Sequence, residues 1–259
     1  MKIPVRRASL LLVLFAASAQ AQDPALSKVL DCMRANIPQT VRVQTVEVTA
    51  VDRTGGERML KGRLFGTREK DRVRVMMRID APQDLAGASY LVREGEKTDE
   101  MYLYLPAIRK VRRITGAAMD GQLWGTDLSY NDFKQIQNAF TGANTVLEAP
   151  AQIEQLTVNV ISFEPRKHEG ARYKKIRTQV DPKTCVALRV EFFEPAGVRK
   201  TLIVNPSDVK KSDSHWYASD IAITDLKNKT NTRVRIIGVS AGDKLASRYF
   251  NPTTFYQGN

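Results

Sequence analysis

Histidine and cysteine are scarce in this sequence, which has two of each among 259 residues. His168 and His215 are far apart, and neither has a cysteine or a second histidine at the spacing of a metal site. A zinc site needs three or four such ligands brought together by the fold. The sequence also has no phosphate-binding or dinucleotide-binding glycine motif. We therefore expect neither a metal nor a cofactor.

Long apolar runs are also missing. Leu10–Ala17 is an apolar run of eight residues, whereas a membrane-spanning helix needs about 20. The run follows Lys2, Arg6 and Arg7 and precedes the small residues of 19–21, which is the pattern of a signal peptide. We expect residues 1–21 to be removed and residues 22–259 to form a single exported domain. No cysteine directly follows the run, so we expect no lipid anchor.

Acidic residues are outnumbered, at 28 against 40 basic residues, which gives a net charge of +12. Removal of residues 1–21 takes away three basic and no acidic residues and leaves +9. Such a surface favours acidic partners, and export argues against nucleic acid. The densest basic run comprises Arg109, Lys110, Arg112 and Arg113. It predicts either a solvated strand face or an electropositive rim for anionic headgroups or an acidic partner.

Cys32 and Cys185 are the two cysteines. In an oxidising compartment, an even number of cysteines predicts a disulfide between them. The alternative is a pair of buried free thiols.

Residues 238–242 read G-V-S-A-G, which matches the nucleophile motif of α/β hydrolases. That motif requires a histidine later in the chain, and none follows Ser240. The carboxylates Glu94, Glu96, Asp99 and Glu100 cluster near a turn, where such groups are usually solvated. We therefore predict that the protein is not an enzyme. The alternative is an enzyme that acts on envelope lipid or glycan.

The apolar periodicity predicts a helix over 23–37, a series of six strands over 41–114 and a second series of six over 155–239. Short polar turns join these strands, which is typical of an antiparallel meander. Between the two series, Asp127–Phe140 is predicted to be an amphipathic helix. Ser129 and Asp132 have the spacing of a capping box at its start.

The stretch Met101–Leu105 is apolar or amphipathic on both strand faces, because Tyr102 and Tyr104 alternate with aliphatic residues. It predicts a sheet that packs on one side and lines a cavity on the other. The candidate cavity residues are large, apolar or aromatic, and lie on elements that could share one face: Met76, Leu91, Met101, Tyr102, Leu103, Tyr104, Trp124, Tyr130, Phe133 and Val158. A closed hydrophobic core explains these residues equally well.

Four segments resemble the LolA-like outer-membrane lipoprotein-sorting family. They are Asp31–Pro38 (DCMRANIP), Met101–Ala107 (MYLYLPA), Arg109–Ile114 (RKVRRI) and Trp124–Phe133 (WGTDLSYNDF). The resemblance implies a mainly β fold with a single, strongly curved antiparallel sheet. This incomplete or half β-barrel would have about 11–12 strands, and helices would plug its concave face.

The resemblance also implies a function as a periplasmic carrier that binds the acyl chains of lipoproteins or lipids and moves them toward the outer membrane. An inner-membrane transporter of the ABC or RND type and an outer-membrane acceptor would be its partners, and the carrier would be a monomer. The lid helix would contribute Leu128, Tyr130, Phe133, Ile136 and Phe140. The alternative is a periplasmic lipid or lipoprotein sensor, or an accessory binding subunit of an RND-type lipid exporter.

Overall fold

The computed structural model describes residues 23–95, 99–133, 144–165, 172–242 and 246–257. These ranges contain helix α1 (Pro24–Ala35), a helical turn at 130–133 and the short helix Ala246–Tyr249. They also contain 15 strands: β1 (Arg42–Val51), β2 (Glu57–Glu69), β3 (Arg72–Ala81), β4 (Ser89–Arg93), β5 (Glu100–Leu105), β6 (Lys110–Arg113), β7 (Thr145–Ile153), β8 (Leu156–Phe163), β9 (Lys175–Val180), β10 (Ala187–Glu194), β11 (Gly197–Ile203), β12 (Val209–Ser212), β13 (His215–Ala218), β14 (Asp220–Asp225) and β15 (Thr230–Ala241).

Thirteen of these strands form one antiparallel sheet in the order β6-β5-β4-β3-β2-β1-β15-β14-β11-β10-β9-β8-β7. The sheet is curved but not closed. The predicted fold class, a single curved antiparallel sheet, is confirmed, although the sheet is one or two strands larger than expected. Strands β12 and β13 form a separate hairpin.

Helix α1 begins where the sequence predicts it. The Asp23 carboxylate accepts a hydrogen bond from the Ala25 backbone N–H at 2.9 Å, and Pro24 occupies the first helical position, where it needs no donor. Its buried face packs against Ile161 and Val180 of the sheet. The predicted disulfide Cys32–Cys185 is present, with its Cα atoms 5.7 Å apart, and ties α1 to the turn after β9.

The two faces of the first half of the sheet are covered by different segments. On the outer face, Phe65, Met76, Leu91 and Tyr102 are neighbours across β2, β3, β4 and β5. The C-terminal strap, which we define as residues 246–257, packs on this row through Tyr249, Phe250, Phe255 and Tyr256. On the inner face, residues 114–133 pack against β1–β5. Both apolar faces of Met101–Leu105 are therefore covered.

Residues of β8–β11 and β14 form a second buried cluster on the inner face, around Phe192, Leu188 and Ile223. The cavity described next lies between this cluster and that of β1–β5. No helix among the described residues is long and apolar enough to cross a membrane.

Candidate functional site

A cavity of about 340 Å³ lies on the inner face of the sheet. Its floor is formed by inward-facing residues of the central strands β1, β15 and β14. These positions alternate with outward-facing residues, which include Glu47 in β1 and Arg233 and Arg235 in β15, as a sheet with one buried face requires. The floor consists of branched aliphatic side chains: Val46, Val48, Ile221, Ile223, Val234 and Ile236.

The wall of the cavity consists of residues 123–133, which cross the inner face. Leu123, Trp124, Leu128 and Phe133 all contact the cavity. The chain can turn sharply here because Trp124 and Gly125 have φ values of 52° and 77°, and glycine adopts such a value without strain. Met33 of α1 and Ile37, which follows the helix, add to the apolar lining. The other apolar lining residues are Leu64, Met77, Val186, Ala187, Leu202 and Ala218.

The wall is fastened to the sheet by Asp127. Its carboxylate accepts hydrogen bonds from the hydroxyls of Thr230 and Thr232, the latter at 2.7 Å. Its carbonyl oxygen accepts one from Lys200 Nζ at 2.6 Å. Asp127 is almost fully buried, so these bonds replace the water that its carboxylate would otherwise need.

A second anchor follows at Asp132, whose side chain is fully buried. It pairs with Lys200 Nζ at 2.7 Å and accepts a hydrogen bond from the Tyr173 hydroxyl at 2.6 Å. Burial and the charge of the Asp132 carboxylate raise the pKa of Tyr173, which therefore stays neutral and donates.

The predicted capping box is present. The Ser129 N–H donates to the Asp132 carboxylate at 2.7 Å, and the Asp132 N–H donates to Ser129 Oγ at 3.1 Å. Tyr90 supports the following turn, because its hydroxyl donates to the Tyr130 carbonyl at 3.2 Å and its ring lies edge-on to Phe133. The G-T-D-L-S-Y-N-D-F stretch thus positions the cavity wall.

One end of the cavity is polar. Arg42, Gln44 and Asn36 line it there, together with Trp216 and Tyr217 of the β12–β13 hairpin. Burial lowers the pKa of Arg42, although its attraction to Tyr217 opposes this effect. The Asn36 side chain fastens the hairpin by accepting the Trp216 N–H at 2.9 Å and donating to the Thr184 carbonyl at 2.7 Å.

The structure divides the predicted cavity residues into three groups. Trp124 and Phe133 line the cavity, as does Leu128 of the predicted lid. Met101, Leu103 and Tyr130 face the same side but are packed in the closed cluster of β1–β5, and Val158 belongs to the second inner cluster. Met76, Leu91, Tyr102 and Tyr104 lie on the outer face beneath the C-terminal strap.

Two of the predicted lid residues, Ile136 and Phe140, lie outside the described residues. The same holds for Glu96 and His168, and for residues 1–21. Within the described part of the chain, no group of three or more histidine, cysteine or acidic residues has the geometry of a metal site.

The predicted basic rim forms one edge of the sheet. Strand β6 carries Lys110, Arg112 and Arg113, all exposed, and Arg109 precedes it. In the described ranges, none of these four residues has an ion pair. Arginines of the outer face differ, since Arg63 pairs with Asp80 at 2.9 Å and the Arg235 guanidinium pairs with Glu47 at 2.8 Å.

Arg42, Trp216, Tyr217 and the floor residues of β14 and β15 were not among the residues predicted to line the cavity. The alternation of β15, where Thr232, Val234 and Ile236 are spaced by two, indicates that these three residues share one face of the sheet. No local pattern places the β12–β13 hairpin over the cavity, because its contacts are with residues about 180 positions earlier, as in the bond from Trp216 to Asn36.

Three comparisons place the chain among known proteins. A family model described as "Uncharacterized protein" matches residues 71–256. No curated protein matches the sequence.

Several solved structures share the fold. An outer membrane lipoprotein-sorting protein domain from Vibrio parahaemolyticus has a TM-score of 0.77 at 20% identity, covering 89% of this chain and 98% of that one. A DUF1329 family protein from Desulfovibrio piger has a TM-score of 0.77 at 21% identity, with 88% and 96% coverage. A LolA superfamily protein from Nitrosomonas europaea has a TM-score of 0.66 at 14% identity, with 87% and 97% coverage. The chain therefore has the LolA-like fold that the sequence resemblance implied.

Proposed function

The chain belongs to this family of uncharacterized proteins, and from its LolA-like fold and its cavity we infer that it is a carrier for the acyl chains of lipoproteins or lipids. The observation that carries this proposal is the cavity of about 340 Å³ with a predominantly apolar lining. Small-molecule sites typically occupy roughly 300–1,000 Å³ and are lined in this way.

The free energy of binding would come from the hydrophobic effect. Each methylene that leaves water contributes about 0.8 kcal/mol. Ten buried methylenes would contribute about 8 kcal/mol before the entropic costs of binding are subtracted. No reaction is needed for such a carrier, and the ligand would leave unchanged.

The proposed location is the periplasm. The pattern of residues 1–21 favours export, and a disulfide is typical of an oxidising compartment such as the periplasm. There the carrier would receive acyl chains from an inner-membrane transporter and deliver them to an outer-membrane acceptor.

A second candidate function is that of an accessory binding subunit of a lipid exporter. The four cations at the β6 edge favour it, because they have no ion pair among the described residues and would suit an acidic docking face. The two functions differ in whether the loaded protein leaves its transporter.

Native mass spectrometry of the protein purified from its own host tests the acyl-carrier proposal. We expect part of the population to carry an added mass that dissociates as a lipid or acylated peptide. Protein that is lipid-free in its host, and that also takes up no fatty-acyl probe after purification, would contradict the proposal. A stable complex with an inner-membrane protein would favour the second function.

A further inference from the structure

The polar end of the cavity contains one cation. Of the described residues that line the cavity, Arg42 is the only charged one, and no carboxylate is among them. Arg42 has no ion pair in the described part of the chain. Its hydrogen bond from Nη1 to the Asn36 carbonyl is long at 3.4 Å. A partly buried guanidinium with no counter-ion among the described residues favours binding of an anion.

Strand β1 carries a gradient of polarity along the cavity. Arg42, Gln44, Val46 and Val48 face the cavity at successive inward positions. With a rise of about 3.4 Å per residue, they span about 20 Å from cation through amide to aliphatic side chains. This order matches a molecule with an anionic head and an apolar tail.

There is space for a headgroup beside Arg42. Its neighbour on β2 is Gly66, and no described atom beyond the adjoining residues lies within 4 Å of the position that a Cβ of Gly66 would take. The hairpin brings one further cation to this end, since Lys211 lies over the Trp216 ring at 5.4 Å. Partial burial, followed by the charge of Arg42, lowers the pKa of His215 at the start of β13, although Asp213 opposes this effect, so His215 is mainly neutral at pH 7.

We propose that the cavity is selective for anionic amphiphiles, with Arg42 binding the carboxylate or phosphate of the headgroup under the β12–β13 hairpin while the acyl chain lies along Val46 and Val48. This inference rests on the proposed function and adds the chemical class of the ligand. A guanidinium suits both headgroups because its planar fork can donate two hydrogen bonds to either. Neutral lipids would lose these bonds and leave the guanidinium without a partner.

Isothermal titration calorimetry with three probes of the same chain length tests the selectivity of the cavity. The probes are dodecanoate, dodecyl phosphate and dodecanol. The wild-type protein is expected to bind the two anions at least about tenfold more tightly than the alcohol, which corresponds to one charge-assisted hydrogen bond. The Arg42→Gln substitution should abolish that preference and should not weaken the binding of dodecanol, because no guanidinium is then left without a partner. Arg42→Lys should retain part of the preference, because the charge remains and the fork is lost.

The matched control is Arg63→Gln, which removes an arginine from the outer face of the neighbouring strand, where it pairs with Asp80. It should alter none of the three affinities. Equal binding of dodecanol and dodecanoate by the wild-type protein would overturn the proposal and leave the carrier function standing. An Arg42→Gln variant that loses affinity for all three probes equally would overturn it too. Failure of the wild-type protein to bind any probe would contradict the carrier function itself.

Preference between the two anions identifies the headgroup. Tighter binding of dodecyl phosphate would indicate a phospholipid or lipid phosphate, and tighter binding of dodecanoate would indicate a free fatty acid. Either result supports recognition of an anion by Arg42.

Discussion

Lys200 holds the cavity wall through two oxygen atoms, the carbonyl of Asp127 and the carboxylate of Asp132. The sequence alone predicts the local part of this arrangement, namely the capping box of Ser129 and Asp132. It does not predict the partners, because Tyr173 and Lys200 lie 41 and 68 residues further along the chain. The Ser129–Asp132 motif therefore positions the backbone of the cavity wall. Without knowledge of Tyr173 and Lys200, the same motif could equally be interpreted as a catalytic or ligand-binding one.

Substitution Lys200→Met should lower the free energy of unfolding by about 3–5 kcal/mol, because it leaves the buried Asp132 carboxylate without its counter-ion. Denaturation by urea, followed by circular dichroism, measures this change. Arg189→Gln is the control, since it breaks a half-exposed pair with Glu191 and should cost less than about 1 kcal/mol. Equal effects of the two substitutions would show that the buried pair does not fasten the wall.

Tyr173→Phe measures the contribution of the Tyr173–Asp132 hydrogen bond separately from that of the Lys200–Asp132 ion pair. It removes a hydroxyl that donates to Asp132 at 2.6 Å and keeps the ring that packs on Phe192. We expect a loss of about 1–3 kcal/mol, because the acceptor is charged and buried. A loss below about 0.5 kcal/mol in the same urea measurement would mean that Lys200 alone satisfies the carboxylate.

At the scale of elements, most strands follow from alternation and turns, and the exceptions have physical causes. Strand β7 was not predicted because it contains Pro150, which lacks an N–H donor. The structure tolerates Pro150 because β7 is an edge strand with an irregular register between Glu148 and Ala151. The predicted strand 216–225 is two strands, β13 and β14, since Ser219 separates the hairpin from the sheet.

The disulfide joins elements that are 153 residues apart. The chain-entropy model gives a stabilisation of about 5 kcal/mol for a loop of this length. Reduction with dithiothreitol should therefore lower the urea midpoint of the wild-type protein strongly. The double variant Cys32→Ala/Cys185→Ala should already have the lower midpoint and should not respond to dithiothreitol, and a response of that variant would assign the effect to the reagent.

The C-terminal strap explains why Tyr102 and Tyr104 of strand β5, which were predicted to line the cavity, lie on the outer face. Alternation shows that both faces of β5 are covered but cannot show what covers each one. The outer cover comes from residues about 150 positions later, as in the stacking of Tyr104 on Tyr256 with ring centroids 4.0 Å apart. Such a distant partner has no signature in the strand itself.

Phe255→Ala should therefore destabilise the protein by about 3–5 kcal/mol, because Phe255 is 1% exposed and fills the space between the strap and the sheet. It should also increase the fluorescence of an apolar dye by uncovering the outer row. Thr253→Ala, at an exposed position of the same strap, should change neither quantity. A dye response from both variants would mean that the strap is not held by Phe255.

At the scale of the whole molecule, the basic side chains differ from one region to another in whether a carboxylate neutralises them. On the outer face, Arg63, Arg233 and Arg235 pair with carboxylates across strands, whereas the β6 edge has four exposed basic residues without ion pairs in the described ranges. Basic residues at an edge also prevent edge-to-edge association, so their presence alone does not distinguish protection from docking.

Vesicle binding distinguishes these two roles. The variant with glutamine at positions 109, 110, 112 and 113 should lose binding to phosphatidylglycerol vesicles at low salt, since each basic residue near an anionic surface contributes about 1 kcal/mol. The control removes the same charge at the exposed Lys70, Lys183, Lys227 and Lys229. If both variants bind equally well, the β6 edge does not dock on anionic lipid.

The central claim is that the inner face of the sheet holds an acyl chain, and titration with a fluorescent fatty-acyl probe tests it most directly in two matched variants. Ala218→Trp adds bulk at the cavity wall, whereas Ala222→Trp adds the same side chain at an exposed position of β14. We expect one probe per chain for the wild-type protein and Ala222→Trp, and at least about tenfold weaker binding for Ala218→Trp. Equal binding by all three proteins, or none by the wild-type protein, would contradict the claim.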